Sequence, residues 1–337
     1  MPNGEAVRLF GTDGIRGVAG EFPLDSATLE SIGQALADNL ASELGRPPQI
    51  VIGRDTRESG IEIERWVSSG VQRSGASIAS AGVITTPGVA YLTRSIPFDA
   101  GIVISASHNP FRDNGIKVFT PSGRKLADDV ERRIEREVSE PGQRGNESST
   151  PPAGLGDLSN SIRQETSYQQ LYIDHLVSNV SDGLNLADKR IGIDCANGAA
   201  SCIAPEVFER LGASVEVIFA SPDGRNINEN CGSLHQEALQ RLVRDHRLDA
   251  GVSFDGDADR ALFVDESGRQ VDGDQMMLIL ADRMKKKGWL AGNLVVSTVM
   301  SNLGFEIALR DRGISLVRAL VGDRYVLDEL LAQNASL

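Results

Sequence analysis

The sequence predicts an α/β protein made of successive strand–helix–strand units whose strands run mostly parallel. Short β-rich apolar runs alternate with segments of helical spacing along nearly the whole chain, the pattern of parallel strands joined by crossover helices. This rhythm recurs in three stretches of the chain, although the letters carry no repeat of roughly 20–50 residues. The chain has 337 residues, too many for one ordinary core; at about 150 residues per domain, two or three are expected. The composition shift at 139–166 and the recurring strand–helix rhythm place the domains at 1–150, 151–254 and 255–337.

Residues 8–20, RLFGTDGIRGVAG, hold four glycines and read as a loop with tight turns or a close backbone approach. Arg16 lies in it, with Asp13 as the nearest partner in sequence. Residues 26–44 have helical spacing (Leu29, Ile32, Gly33, Leu36, Leu40), with Asp25 or Ser26 as N-cap. Strand 49–53 ends at Arg54-Asp55-Thr56-Arg57. A helix at about 59–73, a strand at about 76–84, a Thr-Thr-Pro-Gly turn and a helix at 88–95 follow. The apolar run Gly101–Ile104 then stops in the polar turn Ser105-Ala106-Ser107-His108-Asn109-Pro110. A serine, a histidine and an asparagine thus sit at the mouth of a strand, where α/β sheets place their chemistry. A short apolar segment, Ile116–Phe119, and a helix at about 125–138 close the first unit.

Residues 139–166 are crowded with Pro, Gly and Ser and read as a linker. The second unit runs from a helix at about 167–180 through strand 190–195, helix 201–211, strand 214–219, an Asn/Asp/Gly-rich loop and helix 235–246 to strand 250–254. Directly after it come Asp255-Gly256-Asp257-Ala258-Asp259-Arg260 and a further strand, Ala261–Val264. A helix at about 273–287, strand 293–298, helix 302–312, strand 314–317 and a helix from about 323 make the third unit.

The formal net charge of −13 argues against a nucleic-acid partner, which needs clustered Lys and Arg. It leaves room for a small phosphorylated substrate, because local fields can oppose the global sign. The three cysteines, Cys195, Cys202 and Cys231, show no CxxC spacing and fit a reducing compartment. The first residues lack the pattern of a signal peptide, and no run approaches the roughly 18 apolar residues of a membrane span. The expected setting is cytoplasmic, with no membrane partner; the oligomeric state is not legible.

Three carboxylates at i, i+2 and i+4 between two apolar strands repel one another unless a cation neutralises them. All-oxygen ligands suit a hard ion, Mg²⁺ first. Four readings of this turn compete. An EF-hand has Glu266 at position 12 in its favour, but Arg260 stands where the turn needs Gly and the flanks read as strands. A haloacid-dehalogenase-like site would make Asp255 the phosphorylated nucleophile, yet that motif opens its fold, and this one follows two α/β units. A solvated acidic turn is the plain alternative. The fourth reading is a metal site serving a nucleophile elsewhere; since Mg²⁺ prefers to share itself with a phosphate oxygen, it points back to Ser107.

Taken together, LFGTDGIRG, GRDTR, ISASHNPFRDNGIKVF, DCANGAA, PDGRNINENCGS, DGDADR and VGDRYV resemble the α-D-phosphohexomutases, collinearly over essentially the whole chain. The runs ISASHNPFRDNGIK and LFGTDGIRG favour the bacterial phosphoglucosamine mutase branch. The resemblance implies three α/β/α sandwich domains, the third incomplete, with the family's fourth, C-terminal domain absent. It makes Ser107 the phosphoserine and makes Asp255, Asp257 and Asp259 the Mg²⁺ ligands together with the phosphate on Ser107. Arg16 and Lys117 match basic residues near the reacting hydroxyl; His108, Asn109 and Arg260 match neighbours that orient the phosphoserine loop. The implied reaction interconverts glucosamine 6-phosphate and glucosamine 1-phosphate through a bisphosphate, so the implied partner is a small phosphosugar.

The family's sugar-recognition pattern, GE-x-SGH, and its distal-phosphate loop do not occur in these 337 residues. With remote phosphate binding supplying much of the orientation, the expectation is weak mutase turnover. The alternatives are the phosphomannomutase or phosphoglucomutase activity, a phosphatase using the same phosphoserine, and an inactive paralogue. The last is disfavoured because the serine and all three aspartates are intact.

Overall fold

The computed structural model describes residues 8–11, 14–139, 158–181 and 183–337. They fall into two compact units divided between Gly268 and Arg269.

The larger unit holds two sheets. In the first, β1 (Ile15–Val18), β2 (Gln49–Arg54), β3 (Ser77–Val83), β4 (Ala100–Ile104) and β5 (Asp113–Phe119) lie in the order β1-β5-β4-β2-β3. Strands β2, β3 and β4 are parallel, while β5 runs antiparallel to both β4 and β1. The expected mostly parallel layer is therefore mixed. The loop reading of 8–20 gave way to strand at β1, whose Arg16 stands opposite Gly115. Glycine density hid the pairing, because a strand is recognised by the side chains it packs.

Every residue of β4 is buried, as expected of a central strand covered on both faces. One face is covered by α1 (Ser26–Leu44), α2 (Gly60–Arg73) and α4 (Asp128–Ser139), which pack Leu29, Leu36, Ile63, Val67 and Ile134 over Ile50, Ile52 and Ile102. The expected cap of α1 is present: the Asp25 carboxylate accepts the Thr28 N–H at 3.0 Å, satisfying an orphan donor of the first turn. Helices α1 and α2 approach closely because glycines meet at the crossing. A Cβ on Gly70 would lie 2.0 Å from the Glu30 carbonyl oxygen, and one on Gly33 would lie 2.3 Å from that of Val67.

The other face is covered by α3 (Thr86–Ser95) and α5 (Leu158–His175). Residues 140–157, most of the expected linker, lie outside the described residues. Helix α5 starts at Leu158, earlier than the expected 167, and lays Tyr168, Tyr172 and Ile173 into one cluster with Val51, Val89 and Val103. The helix assigned from sequence to the second domain thus packs on the first sheet. Its aromatic stripe shows that a face is buried, but not against which strands.

Within the larger unit, the second sheet holds β6 (Arg190–Asp194), β7 (Ser214–Ile218), β8 (Ala250–Phe254) and β9 (Ala261–Asp265), four of its five strands, in the order β9-β8-β6-β7. Strands β6, β7 and β8 are parallel and β9 is antiparallel to β8. This repeats the order β5-β4-β2-β3. Helices α6 (Ala204–Arg210) and α7 (Glu237–His246) accompany it. The register runs from Ala250↔Asp265 to Phe254↔Ala261, so the acidic turn is the tip of a hairpin inside this sheet. The expected boundary at 254/255 cuts that hairpin; the third domain does not begin with the metal loop. Two adjacent strands looked like an end and a beginning because nothing in their composition reports pairing.

The smaller unit pairs strand Leu294–Thr298 in parallel with Ser315–Ala319 and adds α8 (Gly273–Lys287), α9 (Leu303–Asp311) and α10 (Asp323–Ala332). Ala281, Leu290, Val295, Phe305, Leu309 and Ile314 form its core. Asp272 and Gln275 make a reciprocal capping box at the start of α8. Among the described residues, no helix is long and apolar enough to cross a membrane.

Candidate active site

The equivalent turns of the two sheets meet. Ser107 lies in the turn from β4 to β5, and Asp255 lies in the turn from β8 to β9. The Ser107 hydroxyl donates to Asp255 Oδ2 at 2.5 Å, which joins residues 148 positions apart in sequence. Ser107 is buried, with φ 54°, a left-handed conformation that non-glycine residues rarely adopt outside functional sites. Its N–H donates to Ser105 Oγ at 2.9 Å. His108 Nδ1 lies 3.3 Å from Ser107 Oγ.

Asp255, Asp257 and Asp259 each offer a carboxylate oxygen, and these atoms lie within 4.8 Å of one another. Asp255 and Asp257 are fully buried. Lys117, on β5 and itself buried, places Nζ 3.0 Å from Asp257 Oδ2 and 3.0 Å from Asp259 Oδ2. Asp257 Oδ2 also accepts from Thr86 Oγ1 at 2.5 Å, at the start of α3, and the Thr86 N–H donates to the Asp257 carbonyl at 2.9 Å.

This arrangement fits a hard cation. The Lys117 ammonium bonds Asp257 and Asp259, one cation for two carboxylates. Asp257 Oδ1 is buried with no hydrogen-bond partner, a costly position for an anionic oxygen with no counter-charge. Asp255 is pushed up to about 7 by burial, then by the charges of Asp257 and Asp259, against the opposing hydrogen bonds from Ser107 and the Arg260 N–H. A divalent ion on the three oxygens relieves all three features at once.

The other expected residues are placed as follows. Arg260 donates its N–H to Asp255 Oδ1 at 3.1 Å. Burial first, then the charges of Arg260 and Arg16, lower the His108 pKa, so both guanidinium groups act on the imidazole beside the serine. The side chain of Asn109 turns to Asp113 Oδ2 at 2.9 Å and braces the turn; Asn109 bears on the site through its backbone. The expected partner of Arg16, Asp13, lies outside the described residues.

Sequence reasoning gave no role to Thr86, Arg57 or Asn228. Arg57, buried and paired with Asp55, donates through Nη2 to the carbonyls of Ser107 at 3.2 Å and Asn109 at 2.6 Å. Asn228 Nδ2 reaches the same two carbonyls at 2.9 and 3.1 Å. The motifs GRDTR and PDGRNINENCGS stood out, but a donor to a backbone carbonyl has no spacing signature.

Comparison with known proteins agrees with this architecture. The family description "Phosphoglucomutase/phosphomannomutase, alpha/beta/alpha domain I" matches residues 7–144, domain II matches 170–268 and domain III matches 272–337. The chain belongs to the phosphoglucomutase/phosphomannomutase family. Within it, the chain is 51% identical over 329 residues to a phosphoglucosamine mutase of Solibacter usitatus, covering 98% of this chain and 71% of that protein. It is 48% identical to a phosphoglucosamine mutase of Koribacter versatilis, with 98% and 70% covered. The chain thus spans about 70% of the length of these relatives. Among solved structures, a phosphoglucomutase/phosphomannomutase family protein of Burkholderia thailandensis superposes with a TM-score of 0.78 at 22% identity, over 97% of this chain and 69% of that one. At that identity the likeness speaks for the fold alone.

Proposed function

We propose that this chain provides the phosphoserine and metal-binding parts of a phosphoglucosamine mutase, exchanging a phosphoryl group between Ser107 and glucosamine phosphate. The observation that carries the reading is the 2.5 Å contact between Ser107 Oγ and Asp255 Oδ2, which sets the phosphoryl carrier on the acidic triad. The names of the two relatives supply the sugar.

In the first half-reaction the P–Oγ bond of phospho-Ser107 breaks as a bond forms to the 1-oxygen of glucosamine 6-phosphate. The hydroxyl proton leaves the sugar and one proton returns to Ser107 Oγ, so the count balances. After the bisphosphate has reversed its orientation, the 6-phosphoryl group returns to Ser107 and glucosamine 1-phosphate is released. Ser107, a weak nucleophile but a workable carrier, is aimed by its turn. His108, kept towards its neutral form by burial and two arginines, is within reach to move a proton at Oγ. Lys117 and Arg260 complement charge on the equatorial oxygens, since phosphoryl transfer is mostly positioning and neutralisation. Asp255, Asp257 and Asp259 would hold Mg²⁺, which supplies Lewis-acid polarisation of the phosphoryl oxygens.

The test is intact-protein mass. Incubation with glucosamine 1,6-bisphosphate and Mg²⁺ should add one phosphoryl group, and Ser107→Ala should abolish the addition. A chain never phosphorylated under these conditions would refute the reading and favour an inactive paralogue.

A further inference from the structure

The left-handed conformation of Ser107 needs an outside hold, because such strain persists only where the surroundings over-determine it. The geometry points to Arg57 and Asn228 as positioning residues that clamp the serine turn from the two sheets, a deduction that rests on the phosphoserine reading above. The Ser107 carbonyl accepts from both Arg57 Nη2 and Asn228 Nδ2, and the Asn109 carbonyl accepts from the same two atoms. Four hydrogen bonds from two nitrogens thus fix the Ser107–His108 and Asn109–Pro110 peptide planes.

Each jaw is anchored in its own sheet. Arg57 follows β2; its guanidinium is fully buried against Asp55, whose Oδ1 accepts the Arg57 N–H at 3.0 Å. The Ser105 hydroxyl oxygen accepts the Ser107 N–H at 2.9 Å, which holds the other end of the residue. Asn228 comes from the loop after β7; it has φ 59°, and its N–H donates to the Ala196 carbonyl at 2.9 Å, at the exit of β6. Gly256, in the metal loop, completes the enclosure. A Cβ there would lie 2.6 Å from the Ser107 carbonyl oxygen and 3.0 Å from Asn228 Nδ2. Releasing the carbonyls lets the turn relax towards right-handed φ, which swings Oγ away from Asp255 without touching any metal ligand.

The test measures the rate of Ser107 phosphorylation by glucosamine 1,6-bisphosphate with saturating Mg²⁺, by intact mass, in the parent chain, Asn228→Ala and Arg57→Lys. The maximal rate of Asn228→Ala should fall about 10- to 100-fold, the penalty of roughly ångström misplacement. Its half-saturating bisphosphate concentration and Mg²⁺ affinity (by titration calorimetry) should stay within about twofold of the parent. Arg57→Lys, which keeps a charge for Asp55 but loses the fork, should fall between the two if it folds; Asn228→Ala decides otherwise. A rate for Asn228→Ala within twofold of a phosphorylatable parent would overturn the clamp. So would a loss of rate accompanied by an equal loss of Mg²⁺ affinity. A parent that is never phosphorylated refutes the underlying reading instead.

Discussion

Asp255 shows how much the site depends on a counter-ion. Its carboxyl is pushed up to about 7, against an ordinary 3.8. A folded-state value above the unfolded one means that the stabilising contribution is complete below about 3.8 and is lost as pH rises through about 7. With a chelator present, Asp255→Asn should therefore be more stable than the parent at pH 8, and the gap should close as pH falls below 7. Thermal midpoints at pH 8, 7 and 6 check this; a gap independent of pH would contradict it. Residue by residue, the sequence announced Ser107 and the three aspartates well, because the spacing of charges and the strand exit are local. It could not announce that Thr86 shares Asp257 with Lys117, since that meeting is made by the packing of α3, β5 and the β8–β9 turn.

Among the elements, the crossing of α1 and α2 is spaced by glycine. Gly70→Ala would ordinarily gain helix propensity of about 1 kcal/mol. Here the added methyl meets the Glu30 carbonyl carbon at 2.8 Å and its oxygen closer still, and backbone cannot rotate away as a side chain can. A net loss of about 1–3 kcal/mol is expected, read as a lower denaturation midpoint with unchanged slope. Elements with strong periodicity were legible: α1 with its Asp25 cap, the buried run of β4, and the helix–strand alternation. Strand β1 and the start of α5 were not. Glycine in one and serine in the other suppress the propensity signal, while strand pairing or the burial of Tyr168 and Tyr172 supplies the missing stability from far along the chain.

At the scale of the molecule, metal binding should report on the larger unit as a whole. Mg²⁺ at about 100 times its Kd adds roughly 2.7 kcal/mol to the folded state, worth about 5–10 °C for a unit of this size. Asp257→Asn should abolish most of that shift, as scanning calorimetry with and without Mg²⁺ would show; a full shift in the variant would place the ion elsewhere. Fold class was readable at this scale from rhythm alone. The domain seam was not, because the hairpin that carries the acidic turn is closed by pairing and composition does not change across it.

The matching strand orders of the two sheets set the tolerance of the machine. Nucleophile and counter-charge ride on separate rigid plates, each well packed within itself, and their alignment is decided only at the joint. Sliding one plate past the other by about 1 Å, with every internal contact of both preserved, would cost on the order of 100-fold in rate. The joint is fastened by an apolar seam, in which Ile203 and Val207 join the cluster of Val51, Val103 and Tyr172, and by hydrogen bonds, including Thr56 to the Asn197 carbonyl at 2.5 Å and the Glu58 N–H to the Gly224 carbonyl at 3.0 Å. Polar fasteners are directional, so they resist shear better than oil-like contacts of the same area. Substitutions along this joint are accordingly expected to detune the reaction long before they unfold the protein.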